Sequence, residues 1–106
     1  MSLGIKLKVD DDVVFEWNIT HNLNRMADRS GFYKAAWRPD ESGWDKASDI
    51  SDQLLDGVSF MLKNKKELEA FNPDNGWGSY EGLLEFAFAY ARACFENPEA
   101  TICVSR

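Results

Sequence analysis

Histidine occurs once in this chain, at His21, and cysteine twice. No apolar run approaches the ~20 residues that cross a bilayer. A single imidazole excludes multi-histidine metal sites and leaves His21 as the one side chain that ordinarily titrates near neutrality. Cys94 and Cys103 have neither metal-site nor redox spacing, so both read as small buried hydrophobes. A disulfide between them requires the last strand to fold back beside the preceding helix. The N-terminal "MSLGIKLKV" lacks the separate apolar segment and small-residue cleavage site of an export signal, which predicts a cytoplasmic protein. The formal acceptor "NIT" then has no meaning as a glycan site. With no linker, repeat or low-complexity tract, residues 1–106 are read as a single domain.

Positive charge is the scarcer sign. Lys and Arg number 12 against 18 Asp and Glu, a net charge of −6. A chain of that balance lacks the basic face that holds phosphate, so direct nucleic-acid binding is not expected. The cluster "LKNKKELEA" is diluted by glutamates. An acidic protein is suited instead to basic surfaces on other proteins. Hydrophobic residues make up 44% and aromatics 13%, enough to build one core.

Alternation of Leu3, Ile5, Leu7 and Val9 with Gly4, Lys6 and Lys8 is the period of a half-buried strand. "DDD" at 10–12 turns the chain and "VVFEW" resumes β character, so a hairpin is expected. Thr20 caps a short helix over 21–30 that Gly31 stops. "GFYKAAWRP" adds a helical turn before Pro39. Ala47, Ile50, Leu54, Val58 and Met61 recur at helical spacing over 45–62, and "FNPDNGWG" interrupts. The last helix is predicted over 79–96. Its apolar residues, among them Leu83, Phe86, Phe88, Tyr90, Cys94 and Phe95, cover more than half the wheel, so it is expected to be buried on most sides as the central core element. "ATICVSR" reads as a strand added to the hairpin. The expected fold class is α+β: an N-terminal hairpin and a C-terminal strand in one small sheet, packed by about three helices.

Three constellations carry chemistry. In "WNITHN", Thr20 either caps backbone donors or joins Asn18, His21 and Asn22 around a polar ligand at a helix start, with Arg25 one turn on favouring negative charge. In "NPDNGWGSYE", Trp77 between Gly76 and Gly78 is either an inward anchor or a stacking surface, with Tyr80 adding a hydroxyl. That loop is no EF-hand: with Gly76 as the loop glycine, positions 1 and 12 are Phe71 and Gly82. No Gly-Lys-Ser/Thr follows it, so it is no phosphate loop. Third, Asp45, Asp49, Asp52 and Asp56 fall on one helix face opposite the apolar stripe, either as a solvated face or as a surface for a basic partner. No metal or other cofactor is expected. A nucleophile elbow is lacking, as is any nucleotide-cofactor fingerprint.

"WNITHNLNRMA", "WRPDE", "NPDNGWGSYEGLLEF" and the terminal "VSR" together resemble a group of small, functionally uncharacterised proteins encoded by bacteriophages and prophages. The resemblance covers roughly residues 17–106. It implies a protein made in the cytoplasm of an infected bacterial host, of a class that acts by binding, and it brings no catalytic residues. The leading expectation is therefore a non-catalytic binding protein that antagonises a host defence process. Its pocket would hold a small, polar, planar ligand such as a nucleotide signal, between Asn18, Thr20, His21, Asn22 and Arg25 on one side and Trp77 and Tyr80 on the other. Two alternatives are an acidic inhibitor that occludes a basic site on a host protein through Asp45, Asp49, Asp52 and Asp56, and a small enzyme using His21 as general base.

Overall fold

The computed structural model describes residues 2–106. Strand β1, Ser2–Val9, turns through Asp10 and Asp11 into β2, Asp12–Thr20. Asp10 adopts φ 56°, a left-handed conformation that aspartate tolerates in turns. β3, Thr101–Ser105, pairs with the other side of β1, so the sheet is antiparallel in the order β2-β1-β3. The first strand takes the centre because its apolar positions, Leu3, Ile5 and Leu7, are all fully buried. Gly4, Lys6 and Lys8 face the opposite way by alternation, alongside Asn18 and Glu16 in register on β2.

The helices are α1, Asn24–Arg29; α2, Tyr33–Trp37; α3, Ala47–Lys63; α4, Lys65–Glu69; and α5, Tyr80–Glu96. A one-turn 3-10 segment, His21–Leu23, links β2 to α1. The helical count exceeds the expected three because α2 and α4 are separate short pieces. At Asn64, with φ −128° and ψ 38°, the backbone leaves helical geometry and divides α3 from α4.

α5 packs across the buried face of the sheet. Phe15 stacks on Tyr90 at 5.6 Å, Trp17 tilts against Phe86 at 6.3 Å, and Trp37 meets Phe86 edge-on at 6.3 Å. α3 runs antiparallel beside α5. Tyr80 Oη donates to the Met61 carbonyl at one end, and the Ala47 and Ser48 amides donate to Ala100 and Pro98 at the other. Gly57 lets α3 approach α2: a Cβ there would stand 2.4 Å from a Phe32 ring atom.

Two expectations are corrected. α5 is not buried on most sides; Phe88 and Phe95 are exposed on its outer flank. Asp45 precedes α3, its carbonyl accepting from the Ile102 amide beside the sheet. The last strand does fold back, but Cys94 and Cys103 are both free thiols. Among the described residues, no helix is long and apolar enough to cross a membrane.

Candidate functional site

The two motifs that sequence singled out meet. β2 ends at Thr20, whose φ −67° and ψ 141° are extended and whose Oγ1 accepts from the Asn22 amide at 3.2 Å. That is an N-cap, so the capping reading of Thr20 holds. It leaves the hydroxyl proton free to donate. The short helical segment turns Asn22 outward, where its Nδ2 donates to the Trp77 carbonyl at 3.4 Å. Gly78 presses against the same corner: at φ +103°, a Cβ would lie 2.7 Å from Thr20 Cγ2 and 2.9 Å from Leu23 Cγ. Only glycine supplies that conformation and that clearance together.

The Trp77 loop is held by its own side chains. Asn75 Oδ1 accepts from the Trp77 amide at 2.9 Å, and Asn72 Oδ1 accepts from the Tyr80 amide at 2.8 Å. Ser79 Oγ accepts from Gly82 to cap α5. The backbone is thus fixed while the Trp77 indole remains 70% exposed. Ser2, Asn18, Ile19, Thr20, His21, Asn22 and Trp77 line an open hollow of about 610 Å³. Asn18 reaches it from the outer side of the sheet, its Oδ1 lying over Gly4, and it makes no side-chain hydrogen bond among the described residues.

His21 is engaged from behind. Trp37 Nε1 donates to His21 Nδ1 at 2.9 Å. An indole N–H can only donate, so Nδ1 is bare and the neutral ring carries its proton on Nε2. Among the described residues that line the hollow, His21 is the one ionisable side chain. Trp37 is fixed in turn through its carbonyl, which accepts from Arg106 Nη1 at 3.0 Å. The Arg106 guanidinium also grips Asp40 with two bonds of 2.7 and 3.0 Å. This pair holds the Asp40 carboxyl below its ordinary range and raises Arg106. "WNITHN", "WRPDE" and "VSR" therefore converge on one corner.

Two expected ligand residues lie elsewhere. Tyr80 is 2% exposed and its hydroxyl donates to Met61 at 2.6 Å, so it braces α5 against α3 rather than facing the hollow. Burial raises its phenol above the ordinary value. Arg25 is exposed with its guanidinium 5.7 Å over the Phe71 ring, and it lines an adjoining hollow with Asn72, Asp74 and Asn75. Asn22 borders both hollows.

The acidic set also divides. Asp49 Oδ2 accepts from the Asp45 and Lys46 amides at 3.2 and 3.1 Å, so its carboxylate satisfies two backbone donors at the start of α3. Lys46, between them, pairs with Glu99 at 3.1 Å. Asp52 and Asp56 alone of the four stand outward on α3 with no side-chain partner among the described residues.

Sequence reasoning missed Ser2 and Trp37. The hairpin register, which pairs Ser2 with Thr20, was the signal for the first. Trp37 gave only the general cue that a buried indole N–H needs an acceptor. No family model, curated protein or solved structure matches the chain.

Proposed function

We propose that the chain is a non-catalytic binding protein of the phage accessory kind, which antagonises a host defence process by holding a small, planar, polar molecule such as a nucleotide signal. The observation that carries this reading is the Trp77 indole: 70% exposed, on a loop whose backbone is pinned at Asn22 and Asn75. Large aromatics are ordinarily folded inward, and a mobile loop would lose entropy on binding. An indole that is both fixed and open offers stacking area at little ordering cost.

The polar groups around it suit an uncharged heterocycle. His21 Nε2–H and the Thr20 hydroxyl are donors, and the Asn18 carboxamide supplies a donor and an acceptor, the pairing that reads a nucleobase edge. Arg25 lies beyond Asn22, where it would meet a phosphate rather than the base. Catalysis is disfavoured by the His21–Trp37 bond: the ring cannot take a proton at Nδ1 without breaking it. The acidic-inhibitor alternative keeps only Asp52 and Asp56, since Asp45 and Asp49 belong to the start of α3.

Isothermal titration against mononucleotides, cyclic nucleotides and cyclic dinucleotides tests the proposal. Binding that quenches tryptophan fluorescence and is lost in Trp77→Ala is expected. Uniformly absent heats, or heats that Trp77→Ala leaves unchanged, would remove it.

A further inference from the structure

We propose that the outer seam between α3 and α5 is a docking surface for a basic amphipathic helix of a partner protein, a role independent of the Trp77 hollow. Four large apolar side chains stand in solvent there: Leu55 at 50%, Leu62 at 64%, Phe88 at 59% and Phe95 at 50% exposure. On α3, Gly57 and Phe60 face Phe32 and Arg29 of the neighbouring segments. Leu55 and Leu62 lie about half a turn round from them at ~100° per residue. On α5, Phe86 and Tyr90 face the sheet aromatics, and Phe88 and Phe95 lie about half a turn round in the same way.

The helices are antiparallel, so the two turned-away flanks border one seam. The ties from Tyr80 to Met61 and from Ser48 to Pro98 set the register. They bring Leu55 level with Phe88, and Phe95 level with the first turns of α3. The result is an apolar ridge of two i, i+7 pairs side by side, Leu55 with Leu62 and Phe88 with Phe95, along which the apolar face of a partner helix can lie.

What surrounds the ridge selects the occupant. Further round the same outward sides stand Asp52 and Asp56 on α3 and Glu81 and Glu85 on α5, all exposed. Among the described residues Lys65 pairs with Glu81 at 3.4 Å and Arg92 with Glu96 at 3.4 Å, so Asp52, Asp56 and Glu85 are the rim carboxylates without an ion-pair partner, with Lys63 the cation beside them. A helix with leucines on one face and lysines or arginines at its margins matches both ridge and rim. A second copy of this chain would set carboxylates against carboxylates, so it is the poorer fit.

The test titrates the full chain with three synthetic peptides of about five helical turns: an amphipathic leucine/lysine helix, its leucine/glutamate counterpart, and a scrambled leucine/lysine sequence without a face. Only the first is expected to bind. Leu55→Ser with Phe88→Ser should weaken it at least about tenfold with the circular dichroism unchanged. Leu62→Ser, at the most exposed of the four positions, repeats the readout if the pair disturbs folding. Asp52→Asn with Asp56→Asn should weaken binding severalfold and flatten its salt dependence. Absent binding, equal binding of the scrambled or leucine/glutamate peptide, or indifference to the serine substitutions would overturn the proposal. So would a wild-type dimer in light scattering that Phe88→Ser dissociates, because the occupant would then be a second copy.

Discussion

Two parts of this molecule leave large apolar side chains in water, and they do so in different ways. At the Trp77 corner a single indole is displayed by a loop whose main chain is fastened from several directions. The bond that Asn22 donates to the Trp77 carbonyl, the bond that Asn75 accepts from the Trp77 amide, and the contact of Gly78 with Thr20 and Leu23 all act on backbone. Along the α3–α5 seam nothing is fastened for display: Leu55, Leu62, Phe88 and Phe95 are outward because both helices have apolar residues on more of their circumference than the core covers. The corner resembles a preformed small-molecule site and the seam a surface for another chain. Mutations should therefore disturb stability at the corner and leave it nearly unchanged at the seam.

The sharpest test of that contrast is Gly78→Ala. It puts a Cβ into contact with Thr20 and Leu23 at a φ of +103°, so strain and overpacking combine to a loss of about 3 kcal/mol in urea denaturation. Phe88→Ser at the seam should change stability by no more than about 0.5 kcal/mol. Equal losses at the two positions would erase the distinction.

A smaller effect separates two buried tyrosines on α5. Tyr80→Phe removes the bond to the Met61 carbonyl and should cost about 1–2 kcal/mol. Tyr90 Oη is buried without a hydrogen-bond partner among the described residues, and burial holds its phenol well above the ordinary value. Tyr90→Phe should leave stability unchanged or raise it by about 1 kcal/mol, measured by the same denaturation. A loss at Tyr90 as large as that at Tyr80 would mean its hydroxyl is engaged after all.

Next comes the acidic set. Asp49→Ala removes the acceptor of the Asp45 and Lys46 amides and should cost about 1 kcal/mol, whereas Asp52→Ala should lie within about 0.5 kcal/mol of wild type. If both cost the same, Asp49 has no capping role.

The smallest effect concerns acid. Arg106 lowers the Asp40 carboxyl below its reference value of 3.8, so the clamp stabilises the folded chain fully above that value. Its contribution is lost as pH falls through the lower folded value. The Arg106 side-chain resonances should shift toward free arginine below about pH 4 and keep one position across that range in Asp40→Asn. A titration of equal size in Asp40→Asn would assign the transition to another group.

Much of the fold was readable in the residues themselves. Leu3, Ile5 and Leu7 announced the buried side of the central strand by alternation, and Thr20, Ser79 and Gly31 marked helix boundaries close to where they fall. The polar residues of the corner were legible as a group because they are adjacent in chain order. Tyr80 and Trp77 were not separable beforehand. They stand three positions apart at a loop-to-helix junction, and only the arrival of Met61 beneath one of them distinguishes an inward phenol from an outward indole. Asp49 read as a face residue because its donors, two amides just before the helix, depend on where α3 begins.

What the order of residues determined by itself is periodicity and punctuation: which stretches extend, which coil, and which side of each is apolar. These depend on neighbours a few positions away, whose geometry the backbone imposes. What tertiary structure alone decided is coverage. The sheet order, the meeting of Asn22 with Trp77, the bond from Trp37 to His21, and the exposure of Phe88 and Phe95 all require segments far apart in the chain to arrive at particular places. An apolar side chain states that it prefers burial, but the hydrophobic effect has no direction, so the packing partners determine which such residues are buried and which remain in water.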